Sequence, residues 1–399
     1  MINYEKLWIT IPTYWGDYGS PDNPPCIDFD HPTSPDGEET LSRTMGSLCR
    51  LSGDFNLLIV LAVTHIEYLQ KVRKRVEQIL EPFRSEKKLY LVTPTEVEQI
   101  NSLLKTPLLK MDSYGNIRNV QLFVPYCSGA EFVIGIDDDE IVEDREYLKK
   151  ALNAMNENDD IGGMAGPYYD REGEFRLKGA EALFQEENIF LKKNYYMNEA
   201  LKIAMSGESS PAPGSVAFGG NMVFRRDTIA RVCHDPFIPR GEDYDYVINA
   251  LMKGIRFYFH QDIGIVHLPP DSTGSQAGDN VRKLKADIRR FLYMKTKLTE
   301  HRKQCPQENF SYDLLNPYPG AFLDDSKDLP EHAVSALLKG YSDHFDAESS
   351  RDFVKQASEE SVRKAAEFFN YRQLWHEQLS LNSTDTVIGA AIARMCFIS

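Results

Sequence analysis

Four consecutive carboxylates, Asp137, Asp138, Asp139 and Glu140, follow directly on an apolar run in VIGIDDDEIVED (133–144). Where such a segment stays extended, side chains alternate, so Asp137 and Asp139 point to the same side. Two carboxylates held that close repel each other and cost stability unless a cation sits between them. Hard divalent ions prefer oxygen donors and bind through one or two carboxylates together with substrate phosphates. The chemistry expected is Mn²⁺ or Mg²⁺ bridging the protein and a diphosphate. The bland alternative is a solvated acidic turn ahead of a helix starting near Glu143, since carboxylates favour helix N-termini. Farther along come AFGGNMVFRRDTIARV (217–232) and PRGEDYDYVINALMKGIRFYFHQDIGIVHL (239–268). Gly219 and Gly220 permit close backbone approach to a ligand. Glu242 and Asp243 open a helix that ends near Gly254, a position suited to a carboxylate facing a site, and His267 ends a strand.

These residues need a scaffold, and the apolar periodicity supplies one. LWITIP (7–12), FNLLIVLAV (55–63), LYLVT (89–93) and EFVIGID (131–137) read as buried strands. ETLSRTMGSLCRL (39–51) and IEYLQKVRKRVEQIL (66–80) have helical spacing. Alternation of this kind implies an α/β fold with a mostly parallel central sheet and helices on both faces. Ligands bind such sheets at the carboxyl ends of the strands, where the acidic run stands. Polar loops fall at 15–38, 206–215 and 268–280, and loops as long as the first are usually functional or disordered. From about residue 300 the text turns helical, with DLPEHAVSALLKGYSDHF and AESSRDFVKQASEESVRKAAEFFNYRQLWHEQLS. The expected division is a domain at 1–300 and a helical extension at 301–399.

Length and composition exclude other classes. A chain of 399 residues suits two domains, or one large α/β domain with an appendage. The formal net charge of −15 disfavours a general nucleic-acid binder. No apolar run reaches the length of a membrane span, and the start MINYEKLWITIP does not read as a signal peptide. The six cysteines lie far apart with no CxxC pair, which suits reduced thiols in a cytoplasmic protein.

In order along the chain, WITIPTYW (8–15), TLSRTMGSL (40–48), YGNIRNVQLFVPYCSGAEFVIGIDDDEIV (114–142), GGNMVFRRD (219–227) and RGED (240–243) resemble a GT-A-fold glycosyltransferase, most similar to glycosyltransferase family 2, over residues 5–270. The resemblance implies metal-dependent transfer of a hexose from a nucleotide-diphosphate sugar to an acceptor hydroxyl with inversion. Asp137 and Asp139 occupy the DxD positions, and His267 is the candidate third metal ligand, with His260 competing. Asp243 is the first candidate for general base, then Glu242, then Asp245; dipole stabilisation of the helix is the alternative role. Pro12, Thr13 and Tyr14 lie where the nucleoside is expected, with Tyr14 or Trp15 able to stack on a base. Arg118, Asp138, Gly220 and Asn221 are further donor-side candidates, and Arg282, Lys283, Lys285, Arg289 and Arg290 could deliver a cation to the diphosphate. The acceptor is expected to be a glycan, a lipid-linked intermediate, a small metabolite or a protein. The C-terminal helices would shape its site or form a homodimer.

Two departures from the family pattern bear on substrate. LAVTHIE (61–67) lacks the acidic pair that holds the nucleoside in many relatives, leaving Glu67 or the 15–38 loop to substitute. No QxxRW sequence occurs, QLWHE (373–377) being a poor match, so processive polymer export is not expected. The competing readings are a retaining GT-A enzyme, a sugar nucleotidyltransferase, and a non-catalytic sugar-nucleotide or carbohydrate-binding protein. The nucleotidyltransferase would need a basic Gly-rich loop where an acidic, Pro-rich one stands.

Overall fold

The computed structural model describes residues 4–17, 29, 32–37, 39–207, 210–269, 277–308, 310–382 and 386–398. Most of the 15–38 loop and the middle of the 268–280 loop lie outside the described residues. In chain order the first elements are β1 (Leu7–Trp15), α1 (Glu39–Leu48), β2 (Asn56–Val63), α2 (Leu69–Leu80), β3 (Lys88–Val92), α3 (Pro94–Leu103), α4 (Tyr114–Cys127) and β4 (Phe132–Gly135). Next come β5 (Glu140–Ile141), α5 (Tyr147–Glu157), β6 (Ile161–Ala165), β7 (Tyr168–Tyr169), α6 (Lys193–Met205), β8 (Ala212–Pro213), β9 (Met222–Arg225), α7 (Arg226–Arg231), α8 (Glu242–Leu251), β10 (Arg256–Phe259) and β11 (Ile265–His267). The remainder comprises α9 (Ala277–Gln304), α10 (Gly320–Leu323), α11 (Leu329–Gly340), α12 (Ala347–Asn382), α13 (Thr386–Cys396) and β12 (Phe397–Ile398).

The apolar runs become strands because both faces of the sheet are covered. On β2, Leu57, Ile59, Leu61 and Val63 enter one core while Leu58, Val60 and Ala62 enter the other. Neither face meets water, so the strand shows no polar alternation, and each large aliphatic side chain contributes about 1.5–3 kcal/mol by burial. The nine-stranded sheet has the order β12-β3-β2-β1-β4-β9-β6-β10-β8. β3, β2, β1, β4, β6 and β10 run one way, and β12, β9 and β8 run against them. The expected α/β fold, with its sheet covered on both faces, and the helical C-terminal region are present, though β8, β9 and β12 make the sheet mixed rather than mostly parallel. A three-stranded sheet, β5-β11-β7, stands beside the carboxyl end of β4.

The expected boundary at residue 300 does not coincide with a break in packing. α9 runs through it to Gln304, and Trp375, Leu379, Ile392 and Cys396 share one core with Phe123, Val124 and Phe224. Trp375 is 0% exposed, and its indole N–H donates to the Ile229 carbonyl at 2.8 Å. β12 pairs antiparallel with β3, Phe397 opposite Tyr90, extending the sheet by one strand. No helix among the described residues is long and apolar enough to cross a membrane, and Cys49, Cys127, Cys233, Cys305 and Cys396 are unpaired.

Trp375→Ala would empty a fully buried site and orphan the Ile229 carbonyl. A loss of about 3–5 kcal/mol is expected, read as the shift in urea-unfolding free energy.

Candidate active site

β4 ends at Gly135, and the acidic run that follows turns rather than staying extended: the Glu140 N–H donates to the Asp137 carbonyl at 3.3 Å. The expectation that alternation sets Asp137 and Asp139 side by side is therefore corrected. Instead the carboxylates fan out to different partners. Asp137 accepts both terminal nitrogens of Arg118, at 2.6 and 2.9 Å. Asp138 accepts from the Thr13 hydroxyl at 2.6 Å, and Thr13 in turn accepts from the Trp15 indole at 2.7 Å. Asp139 Oδ2 lies 3.2 Å from His267 Nε2. The small sheet makes this last contact, because β5 and β11 pair antiparallel with Glu140 opposite His267.

Burial, with the Asp139 charge added, pushes the Asp138 carboxyl up to about 8. Glu140 is raised too, by burial and then by Asp137 and Asp139. Its Oε2 accepts the Asp137 N–H at 2.7 Å. Burial opposes a charge on His267, yet the Asp139 hydrogen bond and charge hold it above the ordinary histidine range. Thus the turn is a place of concentrated negative potential, and the imidazole is drawn to it.

Asp137, Asp138, Asp139 and His267 line a cavity of about 340 Å³ that also reaches Tyr14, Arg118, Glu242 and Asp243. Arg118, on α4, spans the two carboxylate groups: its Nε lies 3.3 Å from Glu242 Oε1. Glu242 is thereby engaged. Asp243, beside it at the start of α8, keeps a carboxylate on the cavity wall and accepts its neighbour's N–H, from Tyr244, at 2.7 Å. Burial, then the Glu242 charge, pushes Asp243 up to about 7. Gly241 precedes the pair with φ 70°, in the left-handed region, and a Cβ there would lie 2.1 Å from an Arg290 nitrogen.

Other expectations fare differently. Asp245 is not a candidate base: it lies in the core and takes the Lys297 ammonium at 2.6 and 2.7 Å. Pro12 sits inside β1 opposite Val60, and Thr13 reaches the site only through Asp138. Trp15 is core, so of the two aromatics Tyr14 alone faces the cavity, at 5.2 Å and edge-on to Tyr114. Asn221 is buried, its Oδ1 accepting from the Tyr147 hydroxyl at 2.7 Å and its Nδ2 donating to the Ile263 carbonyl at 2.8 Å. Gly219 lines the cavity, but both glycines are needed for close approach of protein groups. A Cβ on Gly219 would lie 2.4 Å from Arg118, and one on Gly220 2.2 Å from the Glu140 carboxylate. His260 bonds Ser210 at 2.8 Å, away from the cavity, and Glu67 is exposed outside it.

Of the basic stretch on α9, Arg290 lines the cavity, whereas Lys285 and Arg289 lie 5.2 and 4.7 Å from the Phe353 ring on α12. Arg282 and Lys283 are not among the lining residues. Lys193, Arg240, Tyr168, Tyr244 and Tyr318 join the wall without having been singled out. Arg240 adjoins the Gly-Glu-Asp triplet and was the one with a local cue. Tyr318 comes from the C-terminal region.

The donor set fits a hard divalent ion. Asp139 and His267 offer a carboxylate and an imidazole 3.2 Å apart at the cavity, and neighbouring carboxylates raised by burial and by one another's charge welcome a cation. Asp137 is occupied by Arg118. Among the described residues, the three-ligand group whose atoms lie within 4.8 Å of one another is elsewhere, at His301, Cys305 and Glu308. Glu308 there also takes Lys253 at 3.3 Å.

No family model and no curated protein matches this chain. Among solved structures it is similar to the mannosyltransferase PcManGT from Pyrobaculum calidifontis in complex with GDP-Man and Mn²⁺, at 12% identity and TM-score 0.47, covering 98% of this chain and 88% of that one. It is also similar to glucosyl-3-phosphoglycerate synthase from Mycobacterium tuberculosis, at 12% identity and TM-score 0.37, covering 72% and 80%.

The network under α8 gives a test of its own. Lys297, 0% exposed, joins Asp235 at 2.8 Å and Asp245 at 2.6 Å. Burial already raises Asp245 to about 6 despite that cation. Lys297→Met would leave both carboxylates buried without it, at an expected cost of about 3–5 kcal/mol near neutrality. The Asp245 carboxyl would then stand farther above its unfolded value, so the folded chain would hold extra protons and lose stability as pH rises. The deficit relative to wild type should be larger at about pH 8 than at about pH 5 in urea unfolding.

Proposed function

We propose that this protein is a metal-dependent glycosyltransferase of the GT-A kind, moving a hexose from a nucleotide-diphosphate sugar to an acceptor hydroxyl with inversion. One observation carries the reading: a single cavity is lined both by the Asp139–His267 pair and by Asp243, the carboxylate that burial lifts to about 7. Asp139 and His267 would hold Mn²⁺ or Mg²⁺. When bound, such a cation neutralises the charge that develops on the departing diphosphate. Tyr14 and Tyr114 supply an aromatic wall for the nucleoside. Arg118 keeps Asp137 and Glu242 in place and offsets part of their charge, leaving Asp139 and Asp243 as the carboxylates that meet ligands.

Asp243 takes the proton of the acceptor hydroxyl as its oxygen attacks the anomeric carbon. A base with a pKa near the working pH combines a usable deprotonated fraction with proton affinity. Direct attack, on the face opposite the leaving diphosphate, inverts the configuration.

Three measurements test this. Asp139→Ala should abolish nucleoside-diphosphate release from a panel of sugar nucleotides with Mn²⁺ and should weaken Mn²⁺ binding; wild-type rates would refute the metal assignment. Asp243→Asn should lower transfer by about 10²–10⁴-fold with little change in donor affinity, the usual contribution of a general base. Because the deprotonated form is active, wild-type kcat/KM should rise about tenfold per pH unit at acid pH and level off above about 7. The Asp243→Asn profile should lack that limb.

A further inference from the structure

Three cations on the cavity wall share one carboxylate. Lys193 Nζ lies 2.6 Å from Asp287 Oδ2, Arg290 lies 3.2 Å from Asp287 Oδ1, and Arg240 Nε lies 3.9 Å from the same oxygen. Asp287 and Arg290 are each 5% exposed. Asp243 also faces Arg290, so three cations meet two carboxylates and positive charge exceeds negative by one where solvation is poor; unbalanced buried charge is costly. The wall also holds unused hydrogen-bond donors. The Tyr244 hydroxyl and Arg290 Nε are buried without a partner, and both residues line the cavity. Tyr318 accepts from Arg290 at 2.7 Å and keeps its own O–H to give. This is a set of convergent donors with surplus positive charge, which is what an oxyanion requires.

The set is separate from Arg118, whose guanidinium is spent on Asp137 and Glu242. Its members come from α6, α9, the segment before α8 and, with Tyr244, α8 itself, so they flank Asp243 rather than the Asp139–His267 pair. A group held there would belong to whatever presents its hydroxyl to Asp243.

We propose that Lys193, Arg240, Arg290 and Tyr244 form an oxyanion subsite for the acceptor, which carries a phosphate monoester or a carboxylate near the hydroxyl that is glycosylated. The proposal rests on the reading of Asp243 as the base and narrows the acceptor to anionic molecules. It places the donor's diphosphate elsewhere, beside Asp139 and His267.

Calorimetric titration of the full chain with inorganic phosphate, with acetate, and with a nucleoside diphosphate plus Mn²⁺ tests it. Phosphate or acetate should bind the wild type, and the tighter of the two identifies the group. Arg240→Gln, at the half-exposed rim, should weaken that anion about tenfold or more while leaving the nucleoside diphosphate unchanged. Arg290→Gln should weaken it further; should that variant fail to fold, Lys193→Gln takes its place. Failure of both anions to bind the wild type overturns the proposal. So does a loss of nucleoside-diphosphate affinity in Arg240→Gln equal to the loss for phosphate, because the cations would then serve the donor. Asp243→Asn should still bind the anion. If that variant also kept full transfer, the base assignment would fail while the subsite stood.

Discussion

The site is organised by one buried cation. The Arg118 side chain, 7% exposed, holds Asp137 through both terminal nitrogens and Glu242 through Nε. A guanidinium in so dry a place must be matched by carboxylates, and these arrive from the turn after β4 and from the start of α8. The pairing fixes roles by subtraction. Asp137 and Glu242 are consumed, so Asp139 turns to His267 and Asp243 stands at the cavity. Gly219 belongs to the same arrangement, since any side chain there would displace the guanidinium.

Around that cation the cavity is divided by charge. On the β4 side, burial and then the neighbouring carboxylates make Asp138 and Glu140 favour their protons. On the α8 and α9 side, Lys193, Arg240 and Arg290 outnumber the two carboxylates they face, Asp287 and Asp243. Each imbalance is unfavourable in isolation, and each is relieved by a ligand of opposite sign. Stability given up locally at a site of this kind is recovered in the two apolar cores that cover the sheet.

What the sequence made legible was what local patterns encode. β1, β2, β3 and β4 fall where apolar runs predict them, and the acidic run, Asp243 and His267 converge as their places at strand and helix ends imply. What it concealed was long-range partnership. Arg118 meets Glu242 across 124 positions, and no spacing rule anticipates that the pair removes Glu242 from candidacy. Asn221 and Gly220 looked like ligand-facing residues because small and polar groups beside a motif read alike whether they serve a ligand or the packing. Lys193 and Tyr318 carried no local mark; tertiary folding alone brings them to the wall. The acidic run turns, the alternative to the extended segment, because β4 stops at Gly135, two residues before the acids begin.

α9 links cavity and core in a single rigid body. Asp287 and Arg290 face the cavity region from its first half, and Lys297 anchors it to Asp235 and Asp245. Arg290 and Lys297 are about two helical turns apart, roughly 10 Å along the axis. Inserting a single residue between them would rotate one set by roughly 100° relative to the other. Phase along this helix is therefore a hidden constraint on divergence: side chains here can be exchanged one for another, but insertions and deletions are shut out.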